Sequence, residues 1–159
     1  MIGLSPYNKM TMLEYLENPQ VMQMKQYCHH GNITTYDHCR NVTKKACKIA
    51  DKLKLSNEKI RNIIIGSILH DFYLYDYHHN RRRKEGIHAW SHPRTALRNA
   101  EEIFVLNNKQ RNIIRSHMFP TCLFHPPTCI EAWIVTLADK YCAIEEYICF
   151  ILKKEVPYA

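Results

Sequence analysis

Helix punctuation recurs along this chain while turn chemistry is almost missing, and that contrast limits its fold more than any other feature. Four glycines serve 159 residues, and strong turn dipeptides are scarce. An all-β fold needs a turn signal roughly every 8–12 residues, so the chain reads as all-α. Thr11 and Glu14 have capping-box spacing and open a short helix. Asn18-Pro19 opens a second, which Gly31 ends. Thr35 caps a third helix running to about Leu53, with Val42, Ala46, Ile49 and Leu53 as its apolar stripe and His38 continuing that stripe one turn earlier. Ser56 or Asn57 caps the next. Its buried side is Ile60, Ile63, Ile64, Ile68 and Leu69, and it closes on His70-Asp71-Phe72.

The second half of the chain continues the pattern. The polar, basic stretch from Asp76 to Gly86 reads as a surface loop. Pro93 starts a helix through Phe104, with Ala96, Leu97, Ala100 and Ile103 inside; Asn107 or Asn108 starts a short one ending near His117. Prolines 120, 126 and 127 impose a loop. Thr128 and Glu131 then cap a long last helix whose apolar side is Ile130, Ile134, Leu137, Tyr141 and Ile148, with Asp139 at its middle. The expectation is one domain over 1–159, a bundle of about six to eight helices with little or no sheet. Residues 1–31 supply its short N-terminal helices.

Composition narrows the function. The net charge of +7 favours anionic partners such as phosphates. The one basic run, Arg81-Arg82-Arg83-Lys84, has no interleaved aromatics and reads as a solvated loop or a steering element, not a stacking platform. No recognition motif accompanies the charge, so nucleic acid is not expected as a specific partner. Seven cysteines without a Cys-x-x-Cys spacing indicate neither a disulfide framework nor a thiolate zinc site. With no signal peptide and no apolar run near the roughly 20 residues that span a bilayer, the expected home is the cytoplasm, away from membranes.

Polar residues able to bind metal lie on or beside apolar helix faces: His38, the pair His70-Asp71, the group His88, His92 and His117, and Asp139. Taken singly, each has an ordinary explanation as a hydrogen-bonded core histidine or a surface ion pair. Together they suit a divalent cation, because a buried carboxylate must be paired or ligated and mixed nitrogen and oxygen donors favour iron, manganese or zinc over magnesium.

The order His, His-Asp, Asp resembles the HD superfamily of metal-dependent phosphohydrolases. It is carried by YDHCRNV at a helix start, IIIGSILHDFY closing an apolar helix and WIVTLADKYCAIEE on the last helix, and it spans about residues 34–150. The segments GIHAWSHPRTALRNAEEIF and IIRSHM resemble the additional histidines of two-metal members, among them HD-GYP phosphodiesterases and symmetrical diadenosine tetraphosphatases.

The resemblance implies that His38, His70, Asp71 and Asp139 ligate one metal and that Asp71 bridges to a second, held by His92 and His117. His88 is then a further ligand or a phosphate contact. Arg94 and Lys140 are candidate phosphate contacts because each directly neighbours a proposed site element, the alternative for both being a solvated surface charge. Two positions depart from the pattern: His117-Met118 replaces a double histidine, and Asn41 stands where an arginine is usual. His125 matches no family position and reads as a surface histidine. The implied activity is hydrolysis of a phosphomonoester or phosphodiester by a metal-activated hydroxide, with Asp71 and His70 catalytic. One or two metals per chain and a nucleotide or related small phosphorylated metabolite as substrate are expected. Two alternatives use the same scaffold: a di-iron oxygenase, and a non-catalytic sensing or scaffold domain that keeps its metal.

Overall fold

The computed structural model describes residues 3–77, 82–83 and 86–152. Helix α1 (Pro6–Leu16) starts where the Ser5 hydroxyl accepts the Asn8 N–H at 3.3 Å. Thr11 is therefore mid-helix, not a cap, and its hydroxyl donates back to the Tyr7 carbonyl. Asn18 caps α2 (Pro19–Met22) as expected, and a 3₁₀ turn over Gln23–Gln26 follows. Gly31 does not end that helix. It turns a small antiparallel hairpin between β1 (Cys28–His30) and β2 (Ile33–Thr34). Its φ of +56° suits glycine, and a Cβ there would run into the Phe150 ring.

Helix α3 (Thr35–Lys52) is capped by Thr34, one residue before the expected position. Helix α4 (Asn57–Leu69) is capped by Ser56. These two helices and α7 (Ile130–Ile151) form the centre of the fold. Val42, Ala46, Cys47 and Ala50 of α3 face Ile63, Ile64, Ile68 and Leu69 of α4, all fully buried. Each buried isoleucine or leucine contributes about 1.5–3 kcal/mol.

Helix α6 (Asn108–Ser116) packs closely on α4. Asn107 and Gln110 complete its capping box, and both side-chain amides donate to Asn62 of α4. Close approach is possible because α4 carries Gly66, where a Cβ would lie 2.6 Å from Ile113 Cγ2.

Three sequence expectations fail here for physical reasons. Helix α5 spans His88–Glu101, so Pro93 lies inside it. The proline has no N–H for the Ala89 carbonyl, and the Cys122 thiol reaches that carbonyl instead at 3.8 Å. The stretch read wholly as loop contains β3 (Arg82–Arg83) paired with β4 (Gly86–Ile87), although Arg81 and Lys84 of the basic run lie outside the described residues. Helix α7 begins at Ile130, and its N-cap residue, Cys129, makes no side-chain cap hydrogen bond. It buries Ala132, Val135, Ala138, Asp139, Cys142 and Glu146 along with Ile134, leaving Ile130, Leu137, Tyr141 and Ile148 exposed. Apolar residues surround this helix, and the small ones face the core because they permit the closest approach to α3 and α4. The result is seven α-helices and two small hairpin ladders among the described residues, an all-α bundle as the sequence implies. None of these helices is long and apolar enough to cross a membrane, and all seven cysteines are free.

Candidate metal centre

The fold brings six histidine and aspartate side chains together from five separate helices. His38 lies in the first turn of α3, and His70 and Asp71 sit at the C-terminal end of α4. His92 is inside α5, His117 closes α6, and Asp139 is at the middle of α7. All six are buried.

One local device orients three of the imidazoles. The Nδ1–H of His70 donates to the Ser67 carbonyl at 2.7 Å. That of His92 donates to the His88 carbonyl at 2.8 Å, and that of His117 to the Ile114 carbonyl at 2.8 Å. Each acceptor lies three or four residues back along the same helix, so the helix itself fixes Nδ1 as the donor and turns Nε2 inward. His38 is held differently: its Nδ1 contacts the buried Glu146 carboxylate at 2.8 Å, and its Nε2 lies 3.1 Å from Asp139 Oδ1.

The inward atoms crowd together. His92 Nε2 and His117 Nε2 are 2.8 Å apart, each on a ring whose Nδ1 donates to a carbonyl. Asp71 Oδ1 lies 3.2 and 3.4 Å from them. His70 Nε2 is 3.5 Å from Asp71 Oδ2 and 3.6 Å from Asp139 Oδ1. Both His70 Nε2 and Asp71 Oδ1 are buried without a hydrogen-bond partner. Buried lone pairs converging on carboxylates repel one another unless a cation lies among them. Among the described residues, three overlapping groups have ligand atoms close enough to share an ion: His29, His38 and Asp71; His38, His70 and Asp139; His70, Asp71 and His117. The residues fit a divalent metal.

Electrostatics follow from burial and pairing. Burial disfavours charge on both aspartates, but the surrounding histidines hold the carboxyls of Asp71 and Asp139 well below the usual range. Burial would lower His38 too; hydrogen bonds and charges from Asp139 and Glu146 overcome it and lift the imidazole to about 10. His117, where burial prevails, is pushed down to about 4. His88 falls to about 3, through burial first and the neighbouring His92 next.

The remaining sequence candidates sit around this centre. His88 belongs to none of the three ligand groups; it stacks on Tyr77 and pairs with the Tyr75 hydroxyl at 2.9 Å. Lys140 donates to Asp139 Oδ2 at 2.9 Å and to the His117 carbonyl at 3.0 Å. Both line a cavity of about 300 Å³ whose wall includes Asp71, His92, His117 and Asp139. Arg94 lies apart, in a neighbouring cleft with Arg115 and His125.

Two participants escaped the sequence reading. His29 on β1 stacks on His38 with ring centres 3.8 Å apart and places Nε2 3.3 Å from Asp71 Oδ2. The Gly31-Asn32 pair just before the α3 cap was the available hairpin signal. Glu146 lies seven residues beyond Asp139 and so on the same face of α7; that spacing was its signal. Asn41 donates to Glu146 Oε1 at 3.3 Å, so the residue replacing the family's arginine anchors a buried carboxylate.

No curated protein and no solved structure matches the chain significantly. The HD domain matches residues 35–144, well over half of the chain, beginning just ahead of His38 and ending just beyond Asp139. With the His-Asp pair at the end of α4 and the histidines converging on it, this chain belongs to the HD domain family, whose members are largely metal-dependent phosphohydrolases.

Proposed function

We propose that this protein is a metal-dependent phosphohydrolase acting on a small phosphorylated substrate, most suitably a nucleotide. One observation carries the reading: the Nε2 atoms of His92 and His117 face each other at 2.8 Å beside Asp71 Oδ1, which has no hydrogen-bond partner. Such an arrangement is costly in a protein without a cation and well suited to one with it. His38, His70, Asp71 and Asp139 would hold one metal, with Asp71 shared toward a second held by His92 and His117; His29 stands ready to join through Asp71. A divalent metal bound here supplies Lewis acidity and lowers the pKa of water.

The chain's own residues do the rest. The Ser67, His88 and Ile114 carbonyls and the Glu146 carboxylate lock four imidazoles before substrate arrives, so no reorganisation accompanies binding. Asp71 stays ionised and accepts a hydrogen bond from the attacking water, turning its lone pair toward phosphorus. Lys140 offsets the charge of Asp139 at the cavity wall and brings a cation to the phosphoryl oxygens. His88 is neutral in the physiological range and offers a ring nitrogen to the same group. The Tyr77 ring stacked on it limits its motion.

The test is phosphate release from nucleotides and from p-nitrophenyl phosphate, with manganese and with chelator. Metal-dependent release that disappears in the His70→Ala/Asp71→Ala double variant is expected. Full activity in that variant, or oxygen uptake without phosphate release, overturns the reading.

A further inference from the structure

Beside the metal cavity lies a second cleft, of about 320 Å³, between the N-terminal half of α5 and the loop after α6. Thr121 lines both spaces, so they adjoin across this loop. The cleft's polar residues are Arg94 of α5, Arg115 of α6 and His125. Arg115 Nη2 donates to His125 Nε2 at 2.6 Å, which leaves that imidazole neutral and its other nitrogen protonated. No carboxylate lines the cleft, and neither arginine has an acidic partner among the described residues. The two guanidiniums are close enough that Arg115, already disfavoured by burial, is lowered further by Arg94. Like charges gathered around a recess without a counter-charge make a site for an anion.

The rest of the lining is apolar and aromatic. Trp90 is one turn before Arg94 on the same face of α5 and is 60% exposed; Phe124 is 94% exposed and Leu123 69%. Large apolar side chains left open beside paired arginines fit a ligand with a flat ring at one end and a phosphate at the other. An inorganic anion would leave this wall unused.

Resting on the phosphohydrolase reading above, we infer that this cleft binds the nucleoside phosphate end of the substrate remote from the bond that is cut, with Arg94 and Arg115 on its phosphate and Trp90 against its base. The protein would thereby select substrates with a nucleoside phosphate beyond the scissile bond over simple phosphomonoesters.

Binding is tested without turnover, on the full-length protein, by fluorescence of Trp90 with Trp133 replaced by phenylalanine. Saturable quenching by AMP is expected, with adenosine and inorganic phosphate each binding at least about tenfold more weakly. The Arg94→Gln/Arg115→Gln variant should lose AMP binding by at least about tenfold, and each single variant separates a folding defect from a lost contact. Equal AMP binding by wild type and the double variant, or no saturable quenching at millimolar AMP, overturns the inference. A second arm compares KM for a dinucleotide with KM for p-nitrophenyl phosphate. A rise in that ratio in the arginine variants is expected, whereas an unchanged ratio despite lost AMP binding refutes the substrate assignment and marks a site for a separate nucleotide. Arginine-dependent AMP binding in a protein that hydrolyses nothing would sink the phosphohydrolase reading and leave this site standing as a nucleotide pocket alone.

Discussion

Gly66→Ala tests how the packing of α6 against α4 positions the metal centre. On an exposed helix this change would stabilise by roughly 1 kcal/mol, since alanine is the better helix former. Here the new Cβ would stand 2.6, 2.7 and 2.8 Å from Cγ2, Cδ1 and Cβ of Ile113. Ordinary contact begins near 3.4 Å, and the clash includes the Ile113 Cβ, which rotamer change cannot move. Helix α6 must therefore give way. Overpacking of this severity costs about 3 kcal/mol, at the upper end of its usual range. Set against the gain in helix propensity, the net loss is about 2 kcal/mol, a fall in Tm of about 4–8 °C for a chain of this size. Because α6 ends at His117, metal affinity should fall as well. Thermal unfolding and manganese titration read both effects. Ile113→Ala removes two of the three clashing carbons, Cγ2 and Cδ1, while keeping Cβ, and alone it leaves a cavity; combined with Gly66→Ala the two changes should be less harmful than their sum by at least about 1 kcal/mol. A Gly66→Ala variant as stable as wild type, or strictly additive behaviour, would refute the reasoning.

Other consequences follow from the same geometry. His38 stands at about 10 without metal, so a metal taking its Nε2 must displace a proton; manganese affinity should rise about tenfold per pH unit between pH 6 and 8. Calorimetry in buffers of different ionisation enthalpy counts that proton, and an affinity independent of pH contradicts the assignment. In the metal-free protein the raised His38 stabilises the fold fully below its ordinary 6.5 and loses that contribution as pH climbs toward 10, which denaturant unfolding across that range measures. Glu146→Gln keeps an acceptor for Nδ1 but removes the charge, so NMR titration of His38 in the metal-free protein should find its pKa lower by about one unit or more; an unmoved titration removes Glu146 from its role. His29→Ala should weaken manganese binding about tenfold, and unchanged affinity would leave His29 as a packing residue.

The helices and their order were legible because caps and periodicity are local: Ser56, Asn107 with Gln110, and Asn18 before Pro19 each mark a helix start in the structure. His38 was readable as inward-facing because it continues the Val42 and Ala46 stripe. His29 was hidden in a three-residue strand too short to show a period. The inner face of α7 was misread because size was taken as the sign of burial; on a helix apolar all round, the neighbours' distance decides, and Ala132, Ala138 and Cys142 fit where Leu137 and Tyr141 do not. Pro93 looked like a helix start because the thiol that serves the Ala89 carbonyl comes from a residue distant in sequence, Cys122. Tertiary contacts of this kind leave no local trace.

The most direct test of the account is metal content per chain by plasma mass spectrometry, on protein purified without chelator and then reconstituted with manganese or iron. Close to two ions are expected in wild type and no more than one in a His92→Ala/His117→Ala variant that still folds by circular dichroism. Wild-type protein that retains no metal after reconstitution would contradict that expectation, and would leave the facing Nε2 atoms of His92 and His117 without the cation the reading requires.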